Sequence, residues 1–499
     1  MRHSFLLCAV LVSSTACTTL RTTVRSYLTA SNGLQIDDDR MRALLHRGMA
    51  DSALRALSNR KSTLSPDDRL LRLLYQGSVA RYAGRDRQAG ALFDDAYAVS
   101  EDRFTKSASR MAASMFTNDM ALPYTAGQNE RLLLHYNALL SWSASGDVDA
   151  AAVEARRLVA LLAQLGEPVD DERAMRALMH AIASAAFEQA GDWNDADVAR
   201  RNAVRLGAPL DTMWTAPADS IGDVVVVIER GDVAHKVAVG LTVPIFSSDN
   251  VDRRTGSFAA ERLLGDLGAL RNGGIWWDDS PSWRFTDTRY GPWRGARASY
   301  LLDMSWPVLR RDAADLRGSV HVVVGAARTE SMISASVSDA LAADYRRDRG
   351  AIMTRTVARA MTKYAAARAM EAAVQSAASK DDDGGGKKKK KKNKNDDAAR
   401  AAGLVARLLT NAASTALERA DTRAWTLLPG SVSVVRMRIP AGTHELLVDA
   451  AGTRQLSLPS VVVKAGRTIV VSARLWHESG QGIRSVMERT AIHEASPQR

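Results

Sequence analysis

Two regimes of hydrophobic patterning divide this chain. From about residue 36 to residue 212, apolar side chains recur at every third or fourth position, as in Ala151, Ala155, Leu158 and Leu162, the spacing that lines one face of a helix. From about residue 213 the pattern turns β-branched and alternating. The stretch "GDVVVVIERGDVAHKVAVGLTVPIF" predicts two strands turning at Gly231-Asp232, and "SVHVVVGAA" at 319–327 predicts another. Ser338 to Ser379 reads as one long Ala-rich helix with Met353, Val357, Met361 and Tyr364 on a stripe. Asp397 to Glu418 returns as a second helix, so the two predict an antiparallel hairpin around a low-complexity loop at 380–397. Beyond it the chain is β again. Val435, Met437 and Ile439 alternate with Arg436 and Arg438, which predicts one buried and one wet face. Pro440-Ala441-Gly442 supplies a turn, and a second hairpin is expected about Ala465-Gly466.

The helical region carries a loose internal repeat. Gly77, Gly84, Ala89, Phe93 and Ala96 occupy the small and aromatic positions of a tetratricopeptide unit, in which a small residue follows the turn glycine where two helices cross closely. Similar turns recur at Gly48 with Ala53, Gly146 with Ala151, and Gly191 with Trp193 and Ala196. The turn glycines stand 36, 62 and 45 residues apart, so the array is degenerate, and an irregular helical bundle is the alternative. Either arrangement buries one face and leaves a groove suited to a partner protein.

The expected fold class is α+β: an N-terminal α-helical, tetratricopeptide-like array, a β-rich region, a long helical hairpin and a small C-terminal β-sandwich. The boundaries fall at 36–212 for the array, 213–335 for the β-rich domain, 336–420 for the hairpin and 421–478 for the last module, with a flexible tail at 479–499. A chain of 499 residues exceeds one hydrophobic core, in keeping with several domains.

The first residues change the picture. Met1-Arg2-His3, an apolar run from Phe5 to Val12 and the small residues Ser13 to Ala16 form an export signal at 1–16, followed by a tether at 17–35. Cys17, directly after the expected cut, stands where bacterial lipoproteins receive lipid. The other cysteine, Cys8, leaves with the signal, so no internal disulfide is expected. Ser14 replaces the usual leucine and Ser14-Thr15-Ala16 also suits ordinary signal peptidase, so a soluble periplasmic protein is the alternative to an outer-membrane lipoprotein facing the periplasm. The net charge of +11 is partly local, since eight lysines face five aspartates between Lys380 and Asp397. The basic residues neither cluster on one helix nor interleave with a stacking motif, so no nucleic-acid partner is expected.

Catalytic signatures are missing from the sequence: no G-x-S-x-G, H-E-x-x-H, G-x-x-x-x-G-K-[ST] or G-x-G-x-x-G occurs. Ser58-Asn59-Arg60-Lys61 matches S-x-x-K without its partner motifs, and Gly384-Gly385-Gly386 before Lys387 follows a helix rather than a strand. No catalytic residue, metal or cofactor is therefore expected, and the chain reads as a non-enzyme. The binding candidates are Trp276, Trp277, Trp283 and Trp293 with Arg284 and Arg289. Indoles stack on sugars and anchor protein interfaces, so these residues either bind a glycan such as peptidoglycan or fill a β-domain core. Asp421, Arg423 and Trp425 are expected to form a structural junction, a bidentate acid–arginine pair capped by an indole.

Three stretches carry a resemblance: "VEARRL" at 153–158, "GDVVVVIERGDVAHKVAVGLTVPI" at 222–245, and "ERADTRAWTLLPGSVSVVRMRIPAGTHEL" at 418–446. They resemble a family of exported bacterial lipoproteins with tetratricopeptide-like helices and a β-containing C-terminal half, and the tail is similar to the small β-sandwich modules often called PEGA-like. The resemblance implies a lipid-anchored envelope scaffold that binds envelope proteins through its helices, with a role in cell-wall or outer-membrane assembly. A glycan-binding envelope protein is the alternative.

Overall fold

The computed structural model describes residues 40–58, 68–105, 123–210, 217, 220–246, 298–311, 318–380, 420–450, 456–476 and 484–486. The fold is mixed α+β, as the two hydrophobic periods require.

After a helical segment at 40–46, the helices α1 (Ala50–Ser58), α2 (Arg69–Tyr82), α3 (Asp86–Thr105), α4 (Gln128–Ala144), α5 (Val148–Gln164), α6 (Asp170–Ala190) and α7 (Trp193–Arg205) follow one another and pack on their sequence neighbours. The turn from α6 to α7 shows why glycine stands there. Gly191 ends α6 at φ 82°, a left-handed conformation that costs a side-chain-bearing residue roughly 1 kcal/mol, and Asp192 N–H then bonds back to Phe187 O at 2.8 Å.

Close helix crossing is fixed at Gly77. A Cβ there would sit 2.7 Å from Phe93 Cε1, and Phe93 is fully buried between α2 and Trp425, whose ring centroid lies 6.0 Å away. Gly77→Ala is expected to cost about 1–3 kcal/mol through overpacking, seen as a lower melting temperature. An unchanged melting temperature would show that Phe93 yields freely.

The strands are β1 (Ile221–Asp232), β2 (His235–Phe246), β3 (Ala298–Arg310), β4 (Val320–Val324), β5 (Ala327–Glu330), β6 (Ile333–Ser336), β7 (Pro429–Pro440), β8 (Gly442–Ala450), β9 (Leu456–Val463), β10 (Thr468–Trp476) and β11 (Arg484–Val486). They form a five-stranded sheet in the order β11-β10-β1-β7-β6, a four-stranded sheet β5-β4-β8-β9 and a ribbon β2-β3. Strands β1, β2, β4 and β7 to β10 lie where the alternation predicts them, whereas β3, β5, β6 and β11 lie outside those expectations, and the pairing differs. β1 and β2 do not form a hairpin: β1 pairs parallel with β10 and antiparallel with β7, while β2 pairs with β3. The chain likewise changes sheet between β7 and β8 and between β9 and β10, so the turns at Pro440-Ala441-Gly442 and Ala465-Gly466 cross from one sheet to the other. Strands from both sides of the boundary drawn at 336–420 are thus interleaved in the same sheets.

The reason is that β1 is apolar on both faces. Val225 and Val227 join a core shared with the helices, whereas Val224, Val226 and Ile228 join a second core with Val320, Val322, Leu446, Val448, Leu458 and Val461 of the four-stranded sheet. A strand buried on both sides belongs at the centre of a sheet, covered by a layer on each face.

Helix α8 (Val337–Lys380) matches the long helix expected from Ser338. Its first turns touch the helical array. From Ile352 to Ala367 it packs on ribbon residues Leu302, Met304 and Trp306. The return helix expected at 397–418, the rest of the Lys-rich loop and almost all of the tail lie outside the described residues.

Candidate functional site

The inner face of the helices is where the sequence leads one to look for a partner. It is formed by α2, α4 and α6, and the chain's own five-stranded sheet covers it. Every second residue of β1 points at the helices. That parity carries Asp223 and Glu229, both fully buried, on either side of Val225 and Val227. On β7 the same face carries Arg436 and Arg438, and on β10 Thr468 and Arg474.

Glu229 meets donors from the facing helices, whereas Asp223 meets donors from β7 of its own sheet, and Glu188 of α6 receives donors from the sheet. Arg81 Nη1 of α2 donates to both oxygens of Glu229, at 3.1 and 3.2 Å, and to Asn137 Oδ1 at 3.0 Å, while Tyr136 O–H of α4 donates to Glu229 Oε1 at 2.7 Å. Burial alone would favour neutral Arg81, but the facing Glu229 carboxylate overrides it and holds the guanidinium charged, its pKa above the ordinary value. Burial, reinforced by the charge on Glu229, pushes the Tyr136 phenol well up, so it stays protonated and donates. Arg436 makes a bidentate pair with Glu188 of α6, at 3.1 and 2.8 Å, and reaches Asp223 at 2.5 Å. Arg438 Nε adds 3.1 Å to Asp223, and Thr468 O–H donates to Glu188 at 3.2 Å. The face of β7 predicted to be wet is therefore the one that grips α6 at Arg436. The sheet register places Arg438 directly opposite Asp223.

A third group closes the rim. Arg474 lies 3.8 Å over the Trp476 ring, Tyr82 meets that ring edge-on at 5.3 Å, and His46 stacks on it at 5.1 Å while bonding to Asp232 at 3.0 Å. The His46 bond, with the charge of His46, overrides burial and holds Asp232 below the usual carboxylate range.

Asp421 and Arg423 form the expected bidentate pair, and Trp425 packs against Phe93 of α3 and Ser78 of α2. Arg423 Nε and Nη2 donate to Asp421 at 2.8 and 2.7 Å, and its Nη1 reaches Asp68 at 2.8 Å. Trp425, 1% exposed, donates Nε1–H to Ser78 Oγ at 2.9 Å. The neighbouring Tyr75 O–H reaches Thr426 Oγ1 at 2.8 Å, and Tyr82 O–H reaches Leu427 O at 3.0 Å. This segment is thus stitched to α2. Cys17 and Trp276, Trp277, Trp283, Trp293, Arg284 and Arg289 lie outside the described residues. Trp306, from the same aromatic-rich region, is buried against α8.

Chemically, the interface is built on ion pairs, Arg81 with Glu229 and Arg436 with Glu188 and Asp223. Among the described residues no cluster of His, Cys, Asp or Glu is arranged to hold a metal ion, and no helix is long and apolar enough to cross a membrane. The sequence reading missed Glu188, Asp223, Glu229, Arg81 and Tyr136. One signal was present: Asp223 and Glu229 are six residues apart, on the same face of a strand whose intervening residues are all apolar.

No protein-family model matches the chain, and no curated protein sequence matches it. Among solved structures, BtubC (BKLC) from P. vanneervenii is similar at 16% identity over 40% of this chain and 94% of that one, with a TM-score of 0.15. A superposition that poor carries no argument.

Proposed function

We propose that this protein is a non-enzymatic scaffold of the bacterial cell envelope, held to a membrane by lipid on Cys17 and presenting surfaces to protein partners. The helices are read as degenerate tetratricopeptide-like pairs turning at Gly84, Gly146 and Gly191, and the two face-packed sheets as a β-sandwich. The observation that carries the reading is the way the charged interface is used. Glu188 and Glu229 are committed to fastening helices to sheet, with Asp223 holding Arg436 from within the sheet, which makes helices and sheets one body. From its base in that body runs α8, 44 residues and roughly 66 Å long at 1.5 Å per residue, with the β2-β3 ribbon along its later turns. A rigid body with a long projecting element holds separate surfaces at a set distance, which is a scaffold's task. With the inner face filled, partners meet the outer helices α3, α5 and α7 or the projecting element.

The test is metabolic labelling with palmitate, followed by fractionation. The wild type is expected to take up label and pellet with membranes, and Cys17→Ser to do neither. A labelled Cys17→Ser variant, or wild type retained in the cytoplasm, would overturn the anchor. An unlabelled wild type, cleaved before Cys17 and released to the periplasm, would replace it with the soluble alternative.

A further inference from the structure

The base of α8 is joined to the helical array by an unusual borrowed cap. Helix α4 begins at Gly127, which has no side chain to accept the orphan amides of the first turn. Asp344, from the third turn of α8, supplies that acceptor: its Oδ2 takes Asn129 N–H at 2.8 Å and its Oδ1 takes Asn129 Nδ2 at 3.1 Å. Glycine leaves room for it, because a Cβ on residue 127 would lie 2.7 Å from Asp344 Oδ2 and displace the carboxylate. The joint extends to α6. Asn129 Nδ2 and Arg347 Nη1 both donate to Glu172 Oε1, at 2.8 and 2.6 Å, Arg176 Nη2 donates to Glu172 Oε2 at 2.8 Å, and Arg347 Nη2 also pairs with Asp344.

The groups facing Asp344 are Glu130 of α4, Glu172 and Arg176 of α6, and Arg347 of its own helix. The Asp171–Arg346 pair lies at the rim. Glu130 is itself fixed, accepting from Gly127 N–H at 2.9 Å and Tyr124 O–H at 2.7 Å. Fully ionised, the joint holds three carboxylates, Asp344, Glu130 and Glu172, against two guanidiniums, Arg176 and Arg347. One proton balances it.

We propose that Asp344 makes the attachment of α8 to the helical array sensitive to pH near neutrality, through uptake of that single proton. Burial, with the charge of Glu130 adding to it and the Asn129 N–H and Arg347 opposing, pushes the Asp344 carboxyl up to about 7 from an ordinary 3.8. A carboxyl that binds its proton more tightly in the joint than in water favours the closed joint in acid. That advantage is complete below about pH 4 and is lost as pH rises to 7. Because α8 carries the ribbon, the joint governs how firmly the projecting element is held.

Hydrogen exchange, corrected for the intrinsic pH dependence of amide exchange, tests this on the full chain. Protection of amides 128–131 and 340–348 in the wild type is expected to fall from pH 5 toward 7, approaching tenfold per pH unit, and to level above that. Asp344→Asn, a neutral acceptor of the same shape, is expected to stay protected with no such slope. An equal slope in both proteins, or a flat wild-type profile, overturns the proposal. Should Asp344→Asn fail to fold, Glu130→Gln decides: removing the like charge should move the midpoint of the profile to lower pH, and an unmoved midpoint overturns the proposal.

Discussion

Replacing Arg81 with methionine is expected to destabilise the protein by about 3–5 kcal/mol, among the largest effects of any single change. The cost does not come from the pair's attraction alone. Glu229 is fully buried, and without Arg81 it keeps only the Tyr136 hydroxyl as a side-chain donor, so an ionised carboxylate is left in a site of low polarity. Asn137 Oδ1 loses its donor as well. The double variant Arg81→Met/Glu229→Gln removes the stranded charge and leaves Tyr136 a neutral acceptor, so it should recover most of the loss. Chemical unfolding of the two proteins reads the difference. If Arg81→Met alone unfolds within about 1 kcal/mol of wild type, the pair does not fasten α2 to the sheet.

That interface also marks where the sequence stopped being legible. The periods of 3.6 and 2 placed the helices and seven of the eleven described strands, because periodicity is a local property. Pairing is not local. "GDVVVVIERGDVAHKV" looks like a hairpin when met alone, and nothing within those residues reveals that β7 and β10, more than 190 residues downstream, take both edges of β1. Arg436 and Arg438 misled for a related reason. An alternating strand shows which residues share a face, but not whether that face meets water or a layer carrying Glu188. Asp421, Arg423 and Trp425 fared better, since an acid two residues before an arginine can close its own bidentate pair; the partner Asp68, 355 positions away, was invisible.

The same distinction bears on the two faces of the helical array. An array of paired helices ordinarily keeps its inner face for a ligand. Here, charged residues at matched parity on β1 and β7 turn that face into an internal joint.

Trp425→Ala is the second change expected to be severe, at about 3–5 kcal/mol. The indole is buried to 1% exposure, tilts against Phe93 and donates its N–H to Ser78, so truncation opens a cavity between α2, α3 and the strand that follows. Two terms add: lost apolar contact and a lost bond. Trp425→Phe separates them, because it keeps most of the volume and deletes the donor. Ser78 O–H still donates to Leu74 O at 2.8 Å, so Ser78 is not orphaned and the phenylalanine variant should lose only about 1–2 kcal/mol. Thermal unfolding of the pair gives the order wild type, Trp425→Phe, Trp425→Ala. A ligand-binding tryptophan would behave differently: its removal would leave the melting temperature near that of wild type, and that result would end the structural reading of the Asp421–Arg423–Trp425 junction.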